Sequence, residues 1–164
     1  MTNKQLRQWR LILIVLICVW MIIIFLFSRQ DINQSTSLST KMMHLIGQVL
    51  QPFTKVDIKE YIYYHFGSLS WWIRKCAHVF IFLILSLLIG LLIMTFPSLT
   101  PGKASLITVG IGLTYAFIDE GHQLLISGRN GSLFDVGIDM IGVITGMIIA
   151  FCLYDLMRSK REIS

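Results

Sequence analysis

Asp119, Glu120, His122 and Gln123 fall within one short stretch, Tyr115-Ala116-Phe117-Ile118-Asp119-Glu120-Gly121-His122-Gln123, which closes an apolar run beginning near Leu106. Two adjacent carboxylates and an imidazole are an inventory for acid–base chemistry. Glu120 or Asp119 would be the general base, His122 or His78 the acid–base partner, and Arg129 the group that stabilises developing negative charge. The same residues suit recognition of an anion. Arg74, Lys75 and Arg129 carry cationic groups matched to phosphate, with His78, His122 and Gln123 supplying hydrogen bonds beside them. A variant of the enzyme reading places a hard divalent cation among Asp119, Glu120, Asp135 and Asp139, favouring Mg or Ca over zinc. H-E-x-x-H is absent and Glu120 and His122 splay apart on a helix, so zinc is not expected and cofactor and metal ligands stay unassigned. In the structural alternative, Asp119 or Asp139 pairs with Arg74 or Arg129 to hold helices together, and breaking such a buried pair costs roughly 3–5 kcal/mol.

These side chains need a frame, and composition says which. The chain of 164 residues is 55% hydrophobic and 14% charged, with a mean hydropathy of +0.71. A soluble domain has about 45–50% apolar and about 25% charged residues, so the excess points to a membrane. A charge at mid-bilayer costs roughly 2.5–3.5 kcal/mol on insertion scales, so intramembrane polar residues normally face a bundle interior or a wet cavity. The net charge of +5 sits near span ends, where it sets topology and touches anionic lipid, and no nucleic-acid partner is expected. Cys18, Cys76 and Cys152 fall in or beside apolar runs without a C-x-x-C pair and read as small buried hydrophobes.

The chain reads as all-α, one polytopic membrane domain over 1–164 with spans at about 9–27, 74–96, 104–126 and 133–155. The first run is long for a signal peptide and Phe27-Ser28-Arg29-Gln30 offers no small-residue cleavage site, so a retained span is expected. The external loop 28–72 is too polar to span. It is expected to hold interfacial helices: one capped by Ser39 or Thr40 with Met42, Leu45, Ile46 and Val49 on a face, another opened by Asp57 and Glu60 before the aromatics Tyr61 to Phe66. His44 and His65 read as surface residues. Arg74 and Lys75 share a helical face with His78 and Phe82, and a snorkelling anchor role for the two cations stays open. Tyr115, Asp119, His122 and Gln123 share another face, with Glu120 a quarter turn away. Gly110 and Gly112 permit close helix approach, as does Gly142-x-x-x-Gly146 on the face of Asp135 and Asp139. Ser132 and Asp135 form a capping-box pattern, and Ser127 to Ser132 is a glycine-rich turn in which Arg129 adds charge.

Four spans put both termini on one side, together with Lys4, Arg7, Arg10, Lys103, Arg158, Lys160 and Arg161, so both ends are expected in the cytoplasm. Alternating direction then brings the start of the second span, the end of the third and the start of the fourth into one leaflet. Arg74, Lys75, His78, Asp119, Glu120, His122, Gln123, Arg129, Asp135 and Asp139 converge at one depth in the outer half of the membrane.

Arg74-Lys75-Cys76-Ala77-His78 resembles the R-K-x-x-H motif of VanZ-like membrane proteins. Asp119-Glu120-Gly121-His122-Gln123, then Gly128-Arg129, then Asp135 and Gly142, resembles their D-E-x-x-Q…R…D…G signature, and Ser28-Arg29-Gln30 resembles their S-x-Q. The family often has Asn where Asp139 stands. The resemblance covers the four-span plan and implies a multi-pass bacterial cell-membrane protein linked to resistance to teicoplanin-type glycopeptide antibiotics. The partners expected are membrane lipids and a lipid-linked cell-wall precursor or polyprenyl phosphate held at an outer-leaflet site. The alternatives are an intramembrane acid–base or metal-assisted enzyme acting on a lipid or cell-wall precursor, and a structural protein whose charges are helix–helix ion pairs. Four short spans without an internal repeat or paired broken helices argue against a transporter.

Overall fold

A computed structural model describes residues 2–29, 69–126 and 131–163, with isolated positions between 37 and 64. Four long helices carry the fold: α1 (Asn3–Ser28), α2 (Leu69–Ile93), α3 (Pro101–Gln123) and α4 (Leu133–Ile163). Thr2 starts α1 with a reciprocal box, its hydroxyl accepting from Gln5 N at 3.3 Å and its own N–H donating to Gln5 Oε1 at 2.9 Å. Thr100 starts α3, followed by Pro101, whose missing N–H costs nothing in the first turn.

Three helices are long and apolar enough to cross a membrane, at Asn3–Ser28, Trp71–Ile93 and Leu133–Leu156. The remaining expected span, α3, is a long helix less apolar than these three. This helix matches the others in length but is diluted by Gly110, Gly112, Ser105, Thr108 and Thr114 and by its polar end. Its hydroxyls do not go unsatisfied. Ser105, Thr108 and Thr114 each donate to the carbonyl four residues earlier, at 3.0, 2.8 and 2.8 Å.

The tightest packing joins α2 to α4. A side chain on Gly142 would collide with the carbonyl of Val79, and one on Gly146 with that of Leu83, so only glycine permits this approach. Ser86 Oγ donates to Val143 O at 2.7 Å across the same seam. Gly112 of α3 lies against Val143, whereas Gly110 faces open space, so only one of the two expected α3 glycines serves packing. The core is Ile24, Phe82, Leu85, Ile89, Ala116, Val136 and Val143, drawn from all four helices.

α1 is attached more lightly and leaves most of its apolar surface exposed, as a lipid-facing helix does. It is pinned by Trp20 Nε1 donating to Ile81 O and by Tyr115 Oη donating to Met21 O, both at 2.8 Å. At its start Arg10 donates through Nε to Thr95 Oγ1 at 2.9 Å and lies 4.1 Å over the Phe96 ring. The start of α1 therefore meets the end of α2, and α2 and α4 run in the same direction.

One other expectation changes. Cys18, Cys76 and Cys152 are free and exposed rather than buried. On a membrane helix the outer surface is itself apolar, so a small hydrophobe has no need of the interior. Of the loop, Met42, Leu45, Ile46 and Val49 are helical and exposed, and Glu60 N donates to Asp57 Oδ1 at 3.4 Å. Ser39, Thr40, His44, Tyr61 to Tyr63, His65, Phe66 and the turn 127–130 with Arg129 lie outside the described residues.

Candidate polar site at one end of the bundle

Asp119 sits in the last turn but one of α3 and points at α1, where Ser28 Oγ donates to its Oδ1 at 2.5 Å. Its other oxygen accepts from Gln123 Nε2 at 2.8 Å. The same amide nitrogen reaches Glu120 Oε1 at 3.2 Å, and Glu120 Oε2 accepts the backbone N–H of Ser132 at 2.9 Å. One continuous chain of polar contacts thus runs from α1 through α3 to the start of α4, and Asp119, Glu120 and Gln123 are all buried along it.

A second group of contacts joins α2 to α4. Lys75 Nζ lies 2.5 Å from Asp135 Oδ1, and the ammonium also sits 5.4 Å from the Trp71 ring centroid. One turn deeper, His78 Nδ1 is 3.4 Å from Asp139 Oδ1. Asp139 is fully buried, and among the described residues neither of its oxygens has a hydrogen-bond partner, so the His78 approach is a close contact rather than an aligned hydrogen bond. His78, Asp119 and Asp139, from three helices, bring ligand atoms within 4.8 Å of one another.

The remaining predicted residues are placed differently. His122 turns toward α1 and packs on Phe25 with ring centroids 4.5 Å apart, its Nδ1 buried without a partner. The predicted face of Tyr115, Asp119 and His122 therefore exists, but it is addressed to α1: to Met21, Ser28 and Phe25 in turn. Arg74 is half-buried next to Lys75 and makes no ion pair with a described residue. Asp135 does not complete the expected capping box with Ser132. The Lys75 ammonium takes its carboxylate, and Glu120 supplies the acceptor that Ser132 N needs. Ser28 is the participant missing from the predicted set. Its signals in the sequence are its place at the end of an apolar run and the S-x-Q resemblance of Ser28-Arg29-Gln30.

Among the described residues the site gathers four carboxylates with one paired ammonium and an imidazole, and Arg74 precedes Lys75 on α2. A buried carboxylate with no donor is costly unless it takes up a proton or a cation.

A bundle in which three of the four long helices are long and apolar enough to cross a membrane, and which buries a polar site at one end, defines a polytopic helical membrane protein. The chain belongs to the VanZ/LLP1 family, whose family model matches residues 13–154. That stretch takes in α2 and α3 whole and most of α1. In α4 it ends at Tyr154. Comparison with curated proteins and with solved structures gives no match.

Proposed function

We propose that this VanZ/LLP1-family protein contributes to teicoplanin-type glycopeptide resistance by holding the anionic headgroup of a lipid-linked envelope precursor at the polar end of its bundle. The observation that carries this reading is Arg74. It stands beside Lys75, at the edge of the buried site, and no described carboxylate claims it, whereas Lys75 is already committed to Asp135. A guanidinium left open at headgroup depth is suited to bidentate contact with phosphate. In this reading α3 crosses the bilayer as a fourth span, the polar end faces outward, and both termini lie in the cytoplasm. The basic residues Lys4, Arg7 and Arg10 in the N-terminal turns of α1 and Lys103 in the first turn of α3 support that orientation.

The test is teicoplanin susceptibility of a host expressing wild type, Arg74→Ala, Arg129→Ala or Glu120→Gln at matched membrane levels. Protection by wild type and its loss in Arg74→Ala is the expected result. Equal protection by all four would remove the site from the argument. Pull-down on polyprenyl phosphate against neutral lipid reads the binding step directly.

A second reading, in which the charges are a helix-joining frame, draws support from Ser28–Asp119, Glu120–Ser132 and Lys75–Asp135, each of which ties two helices. The two readings separate on stability. Frame residues lower the melting temperature when replaced, and headgroup ligands leave it intact while abolishing protection.

A further inference from the structure

We propose that His78, Asp119 and Asp139 form a binding site for one divalent transition-metal ion, with zinc and manganese as the fitting chemistry. Each of the three offers one ligand atom within 4.8 Å of the others, and they come from α2, α3 and α4. Proximity alone would describe an acidic cluster. The independent observation is Asp139: a fully buried carboxylate with both oxygens lacking a hydrogen-bond donor among the described residues. The nearest ammonium, on Lys75, is held by Asp135 one turn away.

The surroundings have the form of a metal site's outer layer. Asp119 is oriented by two neutral donors, Ser28 Oγ on one oxygen and Gln123 Nε2 on the other. Each carboxylate oxygen has a further lone pair for a metal. Outer donors of this kind fix the direction of a ligating carboxylate. The 3.4 Å between His78 Nδ1 and Asp139 Oδ1 equals the edge of a tetrahedron built with bonds of about 2.1 Å. A neutral imidazole, two carboxylates and a divalent cation sum to no net charge, which suits a site inside a membrane.

The chemistry differs from the all-oxygen set of Asp119, Glu120, Asp135 and Asp139 expected from sequence. Glu120 is turned to Ser132 N and Asp135 to Lys75, while His78 brings a nitrogen. Imidazole moves the preference from Mg or Ca toward zinc, and the two carboxylates keep manganese within the chemistry that fits. Three protein ligands leave a coordination position for water or for an anionic oxygen. The site stands independently of the headgroup reading, since it can be loaded with metal alone.

The experiment uses the full chain, purified in detergent without a histidine tag, with Cys18, Cys76 and Cys152 replaced by Ser to remove thiol binding. After dialysis against zinc or manganese, metal content is read by mass spectrometry and melting by fluorescence. About one equivalent is expected, with a raised melting temperature, falling below about a tenth of an equivalent in His78→Gln and Asp139→Asn. Ser28→Ala is expected to weaken binding by about tenfold through its hold on Asp119. Asp155→Asn is the control that keeps full binding. Cobalt loading gives a visible absorption band that His78→Gln abolishes, and it is read on Asp119→Asn as well in case one variant fails to fold. Absence of stoichiometric metal in wild type overturns the proposal, as does equal metal in wild type, His78→Gln and Asp139→Asn. Metal-free wild type as stable as Asp139→Asn would instead assign Asp139 as a neutral acid.

Discussion

Glu120 Oε2 accepts the backbone N–H of Ser132 at 2.9 Å, so a carboxylate at the end of α3 caps the start of α4. Capping groups usually come from the helix's own sequence. Gly131, just before α4, lies against Glu120 O and the Leu124 side chain, a space no larger residue would fit. The end of one helix and the beginning of the next are thereby one polar unit.

Removing that cap has a defined cost. Glu120→Ala should lower stability by about 0.5–2 kcal/mol, the range for losing an N-cap acceptor. Glu120→Gln keeps an amide oxygen and should retain most of that stability. Thermal melting of the purified protein compares the two, and equal losses would show that charge rather than acceptance matters.

Lys75 and Asp135 are only 17% and 19% exposed at the side chain, and their pairing joins α2 to α4. Lys75→Met alone strands a carboxylate, and Asp135→Asn alone strands an ammonium, so each should destabilise by roughly 3–5 kcal/mol or somewhat less at this exposure. The double variant should recover part of the loss. A double-mutant cycle on unfolding free energy measures the coupling, and additivity within about 0.5 kcal/mol would indicate no coupling.

The glycine seam is predicted to tolerate no side chain. Gly142→Ala or Gly146→Ala places a methyl group against the carbonyl of Val79 or Leu83, where only backbone movement makes room. Overpacking of this kind costs typically about 1–3 kcal/mol. Gly110→Ala on α3 faces open space and should be neutral or slightly stabilising, since alanine favours the helix. Melting temperatures of the three variants, side by side, decide the point.

Tyr115→Phe removes the phenol that donates to Met21 O, and Trp20→Phe removes the indole that donates to Ile81 O. Each should cost about 0.5–1.5 kcal/mol and loosen α1 from the bundle. Crosslinking efficiency between cysteines placed at Ser28 and Asp119 reports that loosening, and unchanged efficiency would argue that α1 is held by packing alone.

Most of the architecture was legible from hydropathy and breakers. The apolar runs ending at Phe27 and Phe96, and the Pro97–Pro101 turn, set three helix limits to within a few residues. Alternating direction then placed His78, Asp119 and Asp139 at one depth before any contact was known. What the sequence withheld was partnership. Ser28 stands in an S-x-Q pattern at the end of a span, but only the fold shows it opposite Asp119. Asp135 carries the capping signature of its own helix, yet a Lys75 ammonium within reach outbids the backbone N–H. His122 reads as a site imidazole by type, but one residue of helical rotation beyond Gly121 turns it onto Phe25. Periodicity assigns a side chain to a face. It does not say which neighbour that face meets.

The two rows of charge on the parallel pair α2 and α4 act as a vernier. Lys75 and His78 are three residues apart, and Asp135 and Asp139 are four apart, so both pairs close in one alignment. Sliding α4 by a single turn, about 5.4 Å, would bring Lys75 opposite Asp139 and leave Asp135 and His78 without their counterparts. The seam beneath would resist the same slip: Gly146 would come opposite Val79, but Ala150 would bring a methyl group against the carbonyl of Leu83, where only glycine fits. Glycine spacing and charge spacing choose the same notch.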